Sequence, residues 1–141
     1  MTARKAAAAV LVALGAAVAG CGSSCPSEPA ATDPTAQDSL LCNGSAGQVD
    51  VALALCAACS GSAPSCVPDL TNLAAANQIF LDTSWSVCSG SSCGSRSCQQ
   101  VHCAIAVGAG TYTVLTNAAS AGTNAFTLGV ESSTSTCAWQ P

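Results

Sequence analysis

Basic residues are scarce in this chain of 141 residues. Arg4 and Lys5 lie near the N-terminus, and from Cys21 onward Arg96 is the only Lys or Arg, against seven acidic side chains, a net charge of −6. Proteins that bind nucleic acid neutralise phosphates with clustered Lys and Arg, so the composition argues against a nucleic-acid partner. It also excludes electrostatic docking on anionic lipid headgroups.

Large apolar side chains are few as well. Only 24 of the 121 residues from Cys21 onward are Val, Ile, Leu, Phe, Tyr or Trp, because Ala and Cys supply much of the 50% hydrophobic fraction. This is a thin core for the single domain that such a length allows. Small cores are commonly reinforced by disulfides, each of which contributes about 2–4 kcal/mol.

The chain also lacks a hydrophobic run long enough to cross a bilayer. The apolar run of the leader, residues 6–19, has 14 apolar or Gly residues, whereas a transmembrane helix needs about 20. The run follows Arg4 and Lys5 and ends in small residues, which is typical of a secretory signal peptide over residues 1–20. Ala17-Val18-Ala19 also fits a cleavage site for ordinary secretion.

The segment Val18-Ala19-Gly20-Cys21 resembles the lipobox of bacterial lipoproteins. The resemblance implies that Cys21 becomes the N-terminus and carries a thioether-linked diacylglycerol, usually with a further acyl chain such as palmitate on its amine. Two or more chains anchor a protein stably, because each buried methylene contributes about 0.8 kcal/mol. Gly22 stands where an Asp would imply retention at the inner membrane, so the resemblance implies the outer membrane in an organism that has one.

Ten cysteines remain after Cys21 is set aside, an even number that would be satisfied by five disulfides. Their density is that of a disulfide scaffold, and export supplies the oxidising compartment that such bonds require. Sequence alone does not assign the pairing. We expect disulfides at Cys25, Cys42, Cys56, Cys59, Cys66, Cys88, Cys93, Cys98, Cys103 and Cys137.

Composition divides the exported part into two regions. Residues 21–39 are rich in Ser, Pro, Ala and Thr, with no large apolar side chain, which predicts a flexible tether that Cys25 ties back at its base. Residues 40–141 form the predicted domain. Asp69 is expected to cap a short helix ending near Asn77, after a loop over residues 61–68.

Period-two alternation over short segments predicts a mainly β fold, a small disulfide-rich β-sandwich with one short helix. Residues 48–59 fit a helical stripe as well as a strand, and their Gly- and Ser-rich flanks favour the strand. The alternative fold is an α+β disulfide scaffold. Further strands are predicted over residues 79–87, 101–107, 111–116 and 124–130, with Cys137 to Trp139 closing the chain.

Three later segments resemble strands of the prepeptidase C-terminal type of β-sandwich domain. They are Asp82-Thr83-Ser84-Trp85, then Gly110-Thr111-Tyr112, and finally Phe126-Thr127-Leu128, with a Cys-bearing stretch after the first. Trp85 departs from the aliphatic residue usual in that family, and the similarity covers residues 79–131. The resemblance implies a sandwich fold and an accessory role, such as binding polymers or partner proteins.

Two cysteine patterns carry alternatives. Cys56-Ala57-Ala58-Cys59 is a C-x-x-C, which as a redox dithiol would place its first thiol at a helix N-terminus; a structural disulfide is the favoured interpretation. Cys88, Cys93, Cys98 and Cys103 recur every five residues, unlike the paired spacing of zinc ligands, and we expect no metal there.

His102 is the only histidine, so any Ser-His-Asp relay would require it. On the predicted strand it falls on the polar face, opposite Cys103 and Ile105, which indicates a solvated imidazole. Trp85 and Tyr112 are expected in the core or at an edge rather than on a sugar-stacking platform.

Together these patterns predict a lipid-anchored, non-catalytic module of the cell envelope or cell surface. It would meet the membrane through its anchor and bind an envelope polymer or a partner protein. No cofactor is expected besides the acyl-glyceryl group on Cys21. The alternative is an envelope redox or metal-handling protein that uses its clustered cysteines.

Overall fold

The computed structural model describes residues 26–57, 63–86, 97–119 and 122–141. These residues form nine strands and one helix of four residues. The strands are β1 (Ser27–Pro29), β2 (Leu40–Ser45), β3 (Gln48–Ala57), β4 (Ser65–Asp69), β5 (Gln78–Ser86), β6 (Ser97–Ile105), β7 (Gly110–Asn117), β8 (Thr123–Val130) and β9 (Ser135–Trp139), and helix α1 spans Leu73–Ala76.

The strands form two sheets. The smaller sheet is antiparallel, with strand order β2-β3-β6. In the larger sheet β4 pairs with β5, and the order continues through β7 and β8 to β9. The end of β5 also pairs with β1, while its beginning pairs with β7 in the one parallel pairing of the described strands. The predicted disulfide-rich β-sandwich with one short helix is confirmed.

The core lies between the two sheets and comes from alternating residues. Along β3, the side chains of Val49, Val51, Leu53 and Leu55 are fully buried, because successive residues of a strand point to opposite faces. The larger sheet contributes the two biggest fully buried side chains, Trp85 and Phe126, together with Ile79, Leu81, Val114 and Leu128. Burial of each such side chain contributes about 1.5–3 kcal/mol, which makes this alternation the main determinant of strand register.

The segment before β2 packs on the sandwich through polar groups. The Thr32 side chain is only 3% exposed, and its hydroxyl lies 2.7 Å from that of Thr116. The Asn124 side-chain amide donates to the Thr32 carbonyl at 3.1 Å, and the Thr32 hydroxyl donates to the Asn117 carbonyl at the same distance. Residues 27–33 therefore contact the body of the fold, although the sequence predicts a tether up to residue 39. The sequence of this segment has no hydrophobic pattern, because it is held mainly by hydrogen bonds, and Ala30 is its one side chain that packs against the core.

The connection from β4 to β5 differs from the prediction. Ser65–Asp69 is a strand rather than part of a loop, and helix α1 begins after Asn72. The prediction that Asp69 caps the helix is wrong, because its carboxylate accepts a hydrogen bond from the Thr71 N–H at 2.9 Å in the turn after β4. That hydrogen bond lowers the pKa of Asp69 below its ordinary value.

Candidate functional site

Two disulfides join one sheet to the other. Cys42 on β2 bonds to Cys137 on β9, and Cys66 on β4 bonds to Cys103 on β6. Strands β2 and β6 are the two edges of the smaller sheet, whereas β4 and β9 are edges of the larger one. Each bond therefore links the edge strands of the two sheets across one open side of the sandwich.

A third disulfide lies within the smaller sheet. Cys56 on β3 and Cys98 on β6 are direct cross-strand partners, with their Cα atoms 4.0 Å apart. Leu55, one residue before Cys56, and Val101, three residues after Cys98, point into the core, so the alternation of a strand places this bond on the outer face of the sheet. Cys98 is exposed and Cys56 is half-buried.

The C-x-x-C pattern receives a specific partner for its first cysteine. Cys56 bonds to Cys98 on the neighbouring strand. It lies within strand β3, not at the N-terminus of a helix. Cys56 therefore lacks the helix N-terminus that lowers the pKa of the nucleophilic thiol in a redox C-x-x-C. Cys59 lies outside the residues that the structure describes.

The cysteines spaced by five are not gathered in one place. Cys98 and Cys103 share β6, but a separation of five places them on opposite faces of a strand, and each is bonded to a different partner. Cys88 and Cys93 lie outside the described residues. Within the described ranges, no three His, Cys, Asp or Glu side chains are grouped as metal ligands would be.

His102 pairs with an acidic side chain on the outer face of the smaller sheet. Its Nδ1 lies 2.8 Å from Oδ2 of Asp50, a residue on the neighbouring strand β3. The side chains are 63% and 42% exposed, which matches the predicted solvated imidazole. No serine of the described ranges hydrogen-bonds His102. Sequence patterns do not single out Asp50, because only the β3–β6 register places it beside His102.

The aromatic residues are engaged in packing. Trp85 is 1% exposed and Tyr112 is 8% exposed, as expected for core positions. Trp139 is half-buried, its ring meets that of Phe126 edge-on at 5.4 Å between centroids, and its Nε1 donates to the Ser39 hydroxyl at 2.9 Å. Trp85 and Tyr112 are therefore too buried for a sugar to stack on their rings.

Several predicted features fall outside the described residues. They are the leader over residues 1–20, the lipidation candidate Cys21 and the tether cysteine Cys25. Among the helices of the described ranges, none has the length and apolar character needed to span a membrane.

Comparison with known proteins yields no relative for this chain. No protein-family model, no curated protein and no solved structure matches it.

Proposed function

We infer that the protein is a lipid-anchored, non-catalytic module of the bacterial cell envelope, held at the outer membrane where the organism has one. The observation that carries this proposal is Val18-Ala19-Gly20-Cys21 at the end of a basic and then apolar leader. The disulfides support it, because all six cysteines of the described ranges are oxidised, and such bonds persist in exported proteins.

The short distance in sequence between Cys21 and β1 defines how the module would sit. Five residues separate Cys21 from Ser27, the first residue that pairs with β5. An extended chain spans at most about 3.3–3.6 Å per residue, so the anchor would hold Ser27, where the sandwich begins, within about 20 Å of Cys21. A module with such a short linker to its anchor would contact polymers or proteins of the layer next to the membrane.

The choice of a binding role rests on the resemblance of residues 79–131 to prepeptidase C-terminal domains, whose role is accessory. It also follows from the staples: a disulfide-closed sandwich keeps its shape with a small core, which suits a passive recognition module. The proposal leaves the ligand as an envelope polymer or a partner protein. The competing hypothesis is a redox or metal-handling protein that uses its clustered cysteines.

The decisive experiment is the intact mass of the protein extracted from membranes, with thiol alkylation before and after reduction. We expect added acyl mass at Cys21 and ten cysteines that become alkylated only after reduction. Free thiols or bound metal in the native protein would favour the competing hypothesis.

Two matched variants sharpen this experiment. Cys21→Ser should lose the acyl mass and leave the membrane fraction, whereas Cys25→Ser should keep both, because it changes a neighbouring cysteine outside the lipobox. If Cys21→Ser partitions with membranes and is processed as the native protein is, the proposal fails.

A further inference from the structure

The three disulfides of the described ranges have different surroundings. Cys103 is fully buried, and its partner Cys66 packs against the hydrophobic core, as do Cys42 and Cys137. The bond between Cys56 and Cys98 instead lies on the outer face of the smaller sheet, with Cys98 exposed. Cys98 is the one exposed residue among the six bonded cysteines of the described ranges, whereas Cys42, Cys66 and Cys137 are half-buried. Because thiol–disulfide exchange requires in-line access to a sulfur atom, these surroundings make the Cys56–Cys98 bond the most accessible of the three.

The side chains around the exposed bond leave it open to an approaching thiol. Gln100, the next residue on the same face of β6 as Cys98, is exposed and is not a large apolar residue that would shield the Cys98 sulfur. Neither Cys56 nor Cys98 belongs to the hydrophobic core or packs against it.

Opening this bond would leave the fold intact. Strands β3 and β6 are paired over nine residues, from Val49 opposite Ile105 to Ala57 opposite Ser97, and the cysteines lie one step from the end of that ladder. The two bonds that join the sheets involve other residues and other edges. The ladder and the core therefore hold β3 against β6 whether or not Cys56 and Cys98 are bonded.

From this placement we propose that the Cys56–Cys98 bond is a thiol-exchange site, which accepts two electrons from an external dithiol while the sandwich remains folded. A thiolate of the dithiol attacks Sγ of Cys98, the Cys56–Cys98 bond breaks, and Cys56 leaves as a thiolate that takes up a proton. The second thiol of the reductant, as its thiolate, then attacks the reductant's first sulfur, which is bonded to Cys98 in the mixed disulfide. Cys98 leaves as a thiolate and is protonated, and the dithiol becomes a cyclic disulfide.

This site differs from a C-x-x-C dithiol, because its two sulfurs come from different strands and are brought together by sheet register alone. It also does not depend on the acyl anchor, so its failure and the failure of the proposed lipoprotein are distinguishable. The purified folded protein, with or without its lipid, is sufficient to test it.

The test is reduction of the folded protein by dithiothreitol without denaturant, quenched at intervals with N-ethylmaleimide and mapped by mass spectrometry after digestion at acid pH. We expect Cys56 and Cys98 to be labelled together, about tenfold or more faster than Cys42, Cys66, Cys103 and Cys137, since access limits exchange. Near-UV circular dichroism should stay native during that fast phase. Equal labelling rates for all three bonds, earlier opening of a bond between the sheets, or loss of the native spectrum with the first labels would overturn the proposal.

A pair of variants isolates the site. Removal of the exposed bond by Cys56→Ala with Cys98→Ala should leave a folded protein whose bonds between the sheets keep their slow labelling rate. Removal of the buried bond by Cys66→Ala with Cys103→Ala should preserve fast labelling at Cys56 and Cys98. If the second double variant does not fold, the time course of the native protein decides the question alone. Faster opening of the remaining bonds once Cys56 and Cys98 are absent would show that the exposed bond guards the fold, which contradicts the proposal.

Discussion

The Cys56–Cys98 and Cys66–Cys103 bonds constrain the unfolded chain almost equally but have different surroundings in the folded protein. They join residues 42 and 37 positions apart, and both attach to β6. When either bond is intact, the other closes the same loop of about 15 residues, from Cys56 to Cys66 and from Cys98 to Cys103. The loss of unfolded-chain entropy is therefore equal for the two bonds, and any difference in their effects comes from the native state.

The native states differ in burial and in what is joined. Cys66–Cys103 crosses from one sheet to the other at the edge of the core, and Cys103 is fully buried. Cys56–Cys98 joins two strands that their own ladder already holds, on a solvent-facing surface. The contrast indicates that a disulfide between the sheets also packs against the core, whereas a disulfide on the outer face of one sheet adds only a covalent link between two strands that are already paired.

The largest effect is expected where the bond is also part of the core. Cys66→Ala with Cys103→Ala should lower the free energy of unfolding by about 4–5 kcal/mol, of which about 3 is loop entropy and the rest is a cavity left by two sulfur atoms. Equilibrium unfolding in denaturant, without reductant, measures this loss. A loss of unfolding free energy no greater than that of the exposed pair would show that burial of Cys66 and Cys103 adds no stability, which would contradict the comparison.

A smaller effect is expected for the exposed bond. Cys56→Ala with Cys98→Ala should cost about 3 kcal/mol, because the loop term is the same and no core contact is removed. The same denaturant experiment supplies the measurement, and the two double variants serve as controls for each other. A loss of unfolding free energy larger than that of the buried pair would mean that Cys56 and Cys98 make packing contacts that the structure does not show.

A third prediction extends the comparison from bonded to hydrogen-bonded contacts. Thr32→Val should cost about 1–3 kcal/mol, because it removes the hydroxyl that lies 2.7 Å from the fully buried Thr116 hydroxyl. The Asn117 carbonyl and the Asn124 amide each lose one hydrogen bond but keep another to the Thr32 backbone. Thr111→Val, at an exposed strand position, is the matched control and should stay within about 0.5 kcal/mol of the native protein. Equal thermal stability of the two variants would mean that residues 27–33 add little to the fold.

The smallest effect is expected on the outer face that carries the exposed bond. His102→Ala should change the free energy of unfolding by about 0.5 kcal/mol or less, because its pairing with Asp50 takes place in solvent. A double-mutant cycle with Asp50→Ala measures the coupling. Coupling of 2 kcal/mol or more, roughly twice the upper range for exposed pairs, would reveal a polar cluster on this face.

Alternation alone made most of the core predictable. Alternation favours a strand over residues 48–59, and the structure has one over Gln48–Ala57, with Val49, Val51, Leu53 and Leu55 all inward. The placement of His102 opposite Cys103 and Ile105 followed from the same period of two. Strands β1, β2 and β4 were missed. Pro29 and Pro68 lie within β1 and β4, and the second half of β2 is Asn43-Gly44-Ser45, so none of the three has a continuous hydrophobic pattern.

The composition and periodicity of this sequence determined a β-rich, disulfide-dependent fold, since a thin core with ten cysteines has few other ways to be stable. Which cysteines meet was decided only by the tertiary structure. Cys56 lies three residues from Cys59 but bonds to Cys98, 42 positions away, because the β3–β6 register brings the two Cα atoms to 4.0 Å. Register depends on which faces are buried against the other sheet, and that is a property of the assembled sandwich rather than of any local segment.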